Sequence, residues 1–174
     1  EYVLSEVSYF DVFNYVDKAA RDSVLQAQGY AQIDSASVSL SLVNPGLQLD
    51  FGTGVTCPDG HYRSGIILAN LSGDYAADTV SVIISFQNYI VDGRTLAGNV
   101  LLHKDFTGAD KDLTMEVTSG SLTDSLGNVS SFTADHTLRW LNGLLTYGDV
   151  SDDIYSVLSG STADGTAYNG QGFS

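Results

Sequence analysis

Val80-Ser-Val-Ile-Ile-Ser-Phe-Gln-Asn-Tyr-Ile-Val-Asp-Gly-Arg-Thr-Leu-Ala-Gly-Asn-Val-Leu-Leu-His-Lys-Asp-Phe106 is the stretch on which the fold turns. Val80, Val82, Ile84, Phe86 and Ile90 face one way, with Ser81, Ser85 and Gln87 opposed, the pattern of a strand with one buried and one wet face. Asp92-Gly93 closes it, because both central residues of a type I′ turn want φ > 0. Leu96, Val100, Leu102 and Phe106 return in a period of two, so the stretch reads as a long antiparallel hairpin.

The chain on either side repeats that theme. Val38, Leu40 and Leu42 alternate with Ser37, Ser39 and Ser41, and Asn44-Pro45-Gly46 turns the chain into Leu47, Leu49 and Phe51. Asp50-Phe-Gly-Thr-Gly54, running through Cys57-Pro-Asp-Gly60 to Tyr62-Arg-Ser-Gly65, then bulges and reverses before Ile66-Ile-Leu68. A second long hairpin runs from Leu113 to Val117, through Gly127-Asn128, and back along residues 131–141. A third starts at Ile154-Tyr-Ser-Val-Leu158 and turns at Asp164-Gly165; Ser119-Gly-Ser121 and Ser159-Gly-Ser161 mark corresponding points on the two outgoing arms. Strand glycines Gly65, Gly98, Gly120 and Gly160 weaken a flat strand and so predict a strongly curved sheet, with Trp140, Tyr62, Tyr89 or Tyr155 as covering rings.

Only the N-terminal part departs from this period. Phe13, Val16, Ala20, Val24 and Ala27 recur at three and four, predicting a helix over residues 11–28. Asp11 is its expected N-cap, Gly29 its terminator, and Asp17, Lys18, Arg21 and Asp22 lie largely off the apolar stripe. Residues 1–9 alternate only loosely and read as an extended arm or a first helical turn. The expected fold is one domain over residues 1–174: an arm (1–9), a helix (11–28) and an antiparallel all-β body (34–174) with the helix packed on its concave face. A two-sheet sandwich is the alternative.

Composition excludes several function classes. With 21 acidic against 7 basic residues the formal charge is −14, which repels nucleic acid and anionic membrane surfaces. No apolar run reaches the length of a membrane-spanning helix. Glu1-Tyr2-Val3 lacks the basic and apolar regions of a signal peptide, so an exported protein is expected here in its mature form. Cys57 is the sole cysteine; it reads as a thiol beside a turn or as a bond to a second chain.

Candidate chemistry is sparse. His61, His103 and His136 have neither metal nor triad spacing. Asp149/Asp152/Asp153 and Asp105/Asp110/Asp112 offer oxygens without a regular calcium-loop spacing, and a glycosidase-like carboxylate pair requires two acids facing across a cleft. No catalytic residue, metal or cofactor is therefore predicted. Asn70 and Asn128 begin Asn-x-Ser sequons.

Leu49-Asp-Phe-Gly-Thr-Gly54, Pro58-Asp-Gly60, Arg63-Ser-Gly65, Phe86-Gln-Asn-Tyr-Ile-Val-Asp-Gly93 and Leu96-Ala-Gly98 stand in one order with Arg139-Trp140, Asp152-Asp-Ile-Tyr155 and the run from Ser159 to Gly165. Together, over roughly residues 34–172, they resemble a group of secreted lipoproteins of Bacteroidetes that share a DFGTGC, GPDG and RSGKI pattern, a TFDNYYVNG hairpin and a late Trp. The sequence departs from that pattern at Val55, where the group carries a cysteine. The resemblance implies an extracellular or outer-membrane-surface location and no activity. It also draws attention to Asp-Ser/Thr-apolar triplets, which resemble the O-glycosylation sites of exported proteins from those bacteria. Ser35, Thr79 and Ser125 are the candidate acceptors, while Ser23, on the helix, is the poorest.

The expected function is a non-enzymatic, secreted or cell-surface structural or adhesive protein. It would self-assemble by pairing its arm, with Tyr2, Val3, Leu4 and Val7, on an open sheet edge of a second copy. Its expected partners are itself and glycans. The alternative is an extracellular binding module holding a glycan or lipid on the concave sheet face, and a hydrolase using the acidic clusters is a third reading.

Overall fold

A computed structural model describes residues 2–41, 45–158, 162–167 and 172–173. Leu42, Asn44, the 159–161 segment with Gly160, and Ser174, all invoked above, lie outside the described residues. Two helices come first, α1 (Tyr2–Arg21) and α2 (Ser23–Gln28). The strands β1 (Tyr30–Ile33), β2 (Ala36–Ser41), β3 (Gly46–Asp50), β4 (Val55–Thr56) and β5 (Tyr62–Leu71) follow. Next come β6 (Thr79–Val91), β7 (Arg94–Asp105), β8 (Asp112–Thr123) and β9 (Val129–Asn142), then β10 (Ile154–Val157), β11 (Thr162–Thr166) and β12 (Gly172–Phe173).

Among the described residues all twelve strands form one antiparallel sheet, not two. Its order is β1-β2-β3-β5-β6-β7-β8-β9-β11-β12, with β4 added on β5 and β10 on β9. The predicted hairpin is β6–β7, and both of its turn residues take positive φ, Asp92 at 47° and Gly93 at 76°.

The helix begins earlier than its apolar stripe suggested. Residues 2–9 are helical rather than an extended arm, and Asp11 lies inside α1 instead of capping it. The reason is packing: Ser5 and Tyr9, both 0% exposed, continue the stripe of Val12, Phe13, Val16, Ala19 and Ala20 by one more turn onto the sheet. The far end is corrected too. The chain breaks at Asp22, whose carboxylate accepts the Leu25 N–H at 2.7 Å as the N-cap of α2. That break resets the helical phase, so Leu25 is buried while Val24 and Ala27 are exposed. Gly29, at φ 77°, ends α2 as expected.

One sheet face is spent on α1. Leu49, Ile67, Val82, Ile84, Val100, Leu102, Met115, Val117 and Phe132 meet the helix there; burying a side chain such as Phe13 contributes about 1.5–3 kcal/mol. The other face is open and mostly polar, presenting Ser37, Ser39, Gln48, Gln87, Asn99, Glu116, Thr118, Thr133 and Asp135 to solvent, with one apolar pair, Ile83 and Leu101, among them.

The sheet bends along a line of irregular pairing. β6 carries one extra residue relative to β5 and β7, and β8 one relative to β7 and β9. Each bulge contains a non-glycine residue at positive φ, Asn88 at 49° and Ser119 at 51°. The glycines opposite make room: a Cβ on Gly65 would fall on the Asn88 carbonyl, and one on Gly98 would lie 2.7 Å from the Ser119 oxygen. Tyr9 fills the bend. Its ring stacks on Phe132 at 5.3 Å and its hydroxyl donates to the Ala97 carbonyl at 2.7 Å, 2.6 Å from where a Gly120 Cβ would stand. At Gly120 the covering ring is therefore Tyr9, which the sequence reading did not consider.

Candidate functional site

A large cleft lies beside α1. Asp11, Asn14 and Lys18 recur at three and four along the helix, with Tyr15 and Asp17 beside them, and form one wall. Pro58 and Asp59 of the turn before β5 stand opposite, together with Val150, Asp153 and Tyr155 from the segment after β9 and Asp34 of the β1–β2 turn. The cleft holds about 550 Å³, within the range of small-molecule sites.

Its carboxylates are organised by two buried arginines. Arg63, at 0% exposure, is held by Asp11 (Nη2–Oδ2 2.6 Å) and Asp59 (Nη1–Oδ1 2.8 Å), and its guanidinium lies 4.8 Å over the Tyr15 ring. Arg21 donates to Asp17 at 2.8 Å, to Asp153 and to the Tyr147 carbonyl, between the rings of Trp140 and Tyr147. Asp17 also accepts the Tyr75 hydroxyl at 2.7 Å, and Lys18 pairs with Asp34 at 2.6 Å. Each of the five lining aspartates thus has a cationic partner. Lys104 belongs to the same layer, donating to the Tyr75 carbonyl and lying over the rings of Tyr75 and Phe106; burial lowers its pKa.

Protonation follows this burial. Desolvation raises the Asp11 and Asp17 carboxyls above their ordinary value, and their arginine partners only partly offset it. Asp59 is lowered: burial pushes it up, but the hydrogen bonds from Arg63 and the His61 amide outweigh that push. The Arg21 and Arg63 guanidiniums are driven further toward the charged form, the bonds to their carboxylates outweighing their desolvation.

The predicted site residues are dispersed. Ser35 is half-buried in the β1–β2 turn, Thr79 is exposed at the start of β6, and Ser125 is exposed in the β8–β9 turn. Leu4 and Val7 lie exposed on α1, 41% and 57% accessible, and Tyr2 and Val3 are helical, so none of the four belongs to a free arm. Cys57 is only 3% exposed, buried where the turn before β5 folds onto the core, which removes it as a bond to a second chain in the folded protein.

The histidines stay apart. His61 pairs with Asp92 at 2.5 Å, His103 meets Ser81 at 3.0 Å on the outer face, and His136 is buried against Phe10 with Glu6 at 3.3 Å. Of the two acidic clusters, only Asp153 reaches the cleft; Asp105 and Asp149 cap local turns, Asp152 accepts from Thr146, and Asp110 and Asp112 hold Arg139. No group of three or more His, Cys, Asp or Glu side chains among the described residues has a metal-holding arrangement. Between α1 and the sheet, where a lipid on the concave face would sit, Tyr155 fills the space from Phe13 to Trp140: Phe13 meets Tyr155 edge-on at 5.5 Å, and Tyr155 stacks on Trp140 at 5.7 Å. Asp11, Asp17, Asp59 and their arginines went unrecognised in the sequence as a site; their local signals are the four-residue spacings of Asp17 and Arg21 on α1 and of Asp59 and Arg63 across the turn before β5.

No family model, curated protein or solved structure matches the chain.

Proposed function

We propose that the chain is a non-enzymatic structural or adhesive domain of an exported, surface-located protein. The observation that carries this reading is the division of the sheet: one face packs on α1, while the other is open and, apart from the Ile83–Leu101 pair, polar from β2 to β9. Such a face suits contact with another surface better than turnover of a small substrate. The cleft beside α1 supports the same reading, because its five aspartates are engaged by Arg21, Arg63 and Lys18.

Self-association then works through sheet edges and not through arm exchange, since residues 2–9 are committed to α1. Among the described residues, β1 ends one side of the sheet and β12 the other. Pairing one copy's first strand with another's last is a head-to-tail contact, which propagates as a filament when it does not close. Light scattering with negative-stain electron microscopy tests this: concentration-dependent filaments are expected, and a monomer at all concentrations removes self-association. Exposed Thr79 and Ser125, with Ser35, remain the proposed O-glycan acceptors, and intact mass of protein from the native host reads their occupancy directly.

A second reading, hydrolysis in the cleft, is favoured by the raised pKa values of Asp11 and Asp17. Release of reducing ends from polysaccharide, lost in Asp17→Asn with the fold intact, would replace the non-enzymatic reading with this one.

A further inference from the structure

Outside the cleft, the most selective surface is the outer face of β1–β3. Register places Tyr30 opposite Ser39 and Ser39 opposite Gln48, in one row across three strands. Gln32, Ser37 and Asp50 form the next row. The rows lie about 7 Å apart along the strands, and neighbours within a row are about 5 Å apart. Together with the intervening Ala31 and Val38 they line a groove of about 370 Å³. Tyr30 is 66% exposed, an unusual state for a large aromatic side chain.

The chemistry of this strip is distinct from the rest of the molecule. In a chain of formal charge −14 it carries one charged group, Asp50, which already accepts the Gly52 N–H at 2.7 Å. Ser37 Oγ donates to Gln32 Oε1 at 3.3 Å, an arrangement that leaves the Gln32 amide N–H groups to donate outward. An anionic ligand is repelled by the whole protein, and a cationic one finds on this strip only Asp50, one carboxylate already accepting a backbone N–H. A lipid gains little from amides and hydroxyls. What remains is a neutral molecule rich in hydroxyls with a C–H face for an aromatic ring.

We propose that the outer face of β1–β3 binds an uncharged oligosaccharide, its C–H face stacked on Tyr30 and its hydroxyls bonded to Gln32, Ser37, Ser39, Gln48 and Asp50. This rests on the surface-domain reading and gives it a ligand class, located on the open face rather than the face covered by α1. Stacking supplies affinity, and the fixed cross-strand spacing of amides and hydroxyls supplies selectivity among linkages.

The test is a titration of the ¹⁵N-labelled full chain with cellohexaose, laminarihexaose, xylohexaose and mannohexaose, followed by amide chemical shifts. The expected result is that at least one probe shifts residues 30–32, 37–39 and 48–50. Tyr30→Ala then weakens binding about tenfold, Gln48→Ala about three- to tenfold, and Tyr30→Trp preserves it. Shifts at Asn14 and Lys18 instead, no shift with any of the four probes, or full affinity in folded Tyr30→Ala would overturn the proposal. The two readings fail separately: a chain that forms filaments without binding any probe keeps the surface role and loses the sugar strip. Probe cleavage refutes the non-enzymatic reading, while the position of the shifts still judges the strip.

Discussion

Replacing Gly98 with alanine puts a methyl group where two strands come closest. At φ 111° the backbone of Gly98 is one that side-chain-bearing residues rarely adopt. The added Cβ would stand 2.7 Å from the Ser119 oxygen, 2.8 Å from the Gly120 Cα and 2.9 Å from the Gly120 nitrogen. All three are main-chain atoms of the bulged strand, so no rotamer change relieves the clash. Backbone strain costs about 1–3 kcal/mol, and overpacking costs a similar ~1–3 kcal/mol. Taken together, the expected loss is about 2–6 kcal/mol, a large share of the ~5–15 kcal/mol that stabilises a typical domain.

Gly127→Ala is the matched control. Gly127 also has positive φ, 83°, in the β8–β9 turn, yet nothing lies within 4 Å of its added Cβ. It should lose only the left-handed penalty, about 1–2 kcal/mol. Urea unfolding of both variants at unchanged m-value reads the difference, and a loss of about 3 kcal/mol in Gly98→Ala lowers Tm by roughly 6–12 °C. Equal losses in the two variants would refute the close approach of β7 and β8 and, with it, the account of the bend.

Arg63→Met leaves Asp11 and Asp59 without their cation. Truncating a buried pair costs about 3–5 kcal/mol, and the low end applies because Asp59 is exposed enough to rehydrate. Adding Asp11→Asn and Asp59→Asn should recover much of the loss in denaturant unfolding, and no recovery would show that the guanidinium acts by packing. The His61–Asp92 contact gives a pH window. His61 is raised, foremost by its Asp92 hydrogen bond, so its stabilisation is complete below the ordinary histidine value of 6.5 and fades as pH rises through the raised value. Asp92 is lowered, foremost by the same bond, so its share is present above the ordinary 3.8 and fades as pH falls through the lowered value. His61→Asn should therefore lose most stability between about pH 4 and 6.5, and a His61 NMR midpoint at or below 6.5 contradicts this. Cys57 should react with a thiol reagent at least about a thousandfold more slowly in the native than in the denatured protein; comparable rates would mean the thiol is accessible.

Hairpins were legible in the sequence because alternation and a two-residue turn are local signals. Asp92-Gly93 and Gly29 take the positive φ values their types suggested. The bulges were half legible. Gly65 and Gly98 announced a bend, but the residues that cause it, Asn88 and Ser119, look like ordinary strand positions until the neighbouring strands are paired. The start of α1 was hidden because Val3, Val7 and four serines or tyrosines within residues 2–9 favour no helix by propensity; burial of Ser5 and Tyr9 decides it. The cleft was hidden for a different reason. Its acids come from α1, the β1–β2 turn, the turn before β5 and the segment after β9, and no sequence period connects them. Asp17 and Arg21 were even placed off the apolar stripe, whereas they are 6% and 5% exposed.

The two arginine centres bear on why α1 lies in one register. Four residues of its buried stripe, Val12, Val16, Ala19 and Ala20, are small, and a one-turn shift exchanges Val12 for Val16 and Val16 for Ala20, so within the stripe it is mainly Tyr9 and Phe13 that mark the register. An apolar stripe of that kind specifies a face more strongly than a position. Arg63 grips α1 at Asp11, and Arg21 fixes its last turn to Asp153 and Tyr147. A one-turn slip would strand both guanidiniums in low dielectric without partners, a penalty far larger than the packing difference. The same contacts neutralise the carboxylates that would otherwise give the cleft its chemistry. Holding the helix in place and engaging the cleft's carboxylates are therefore one arrangement.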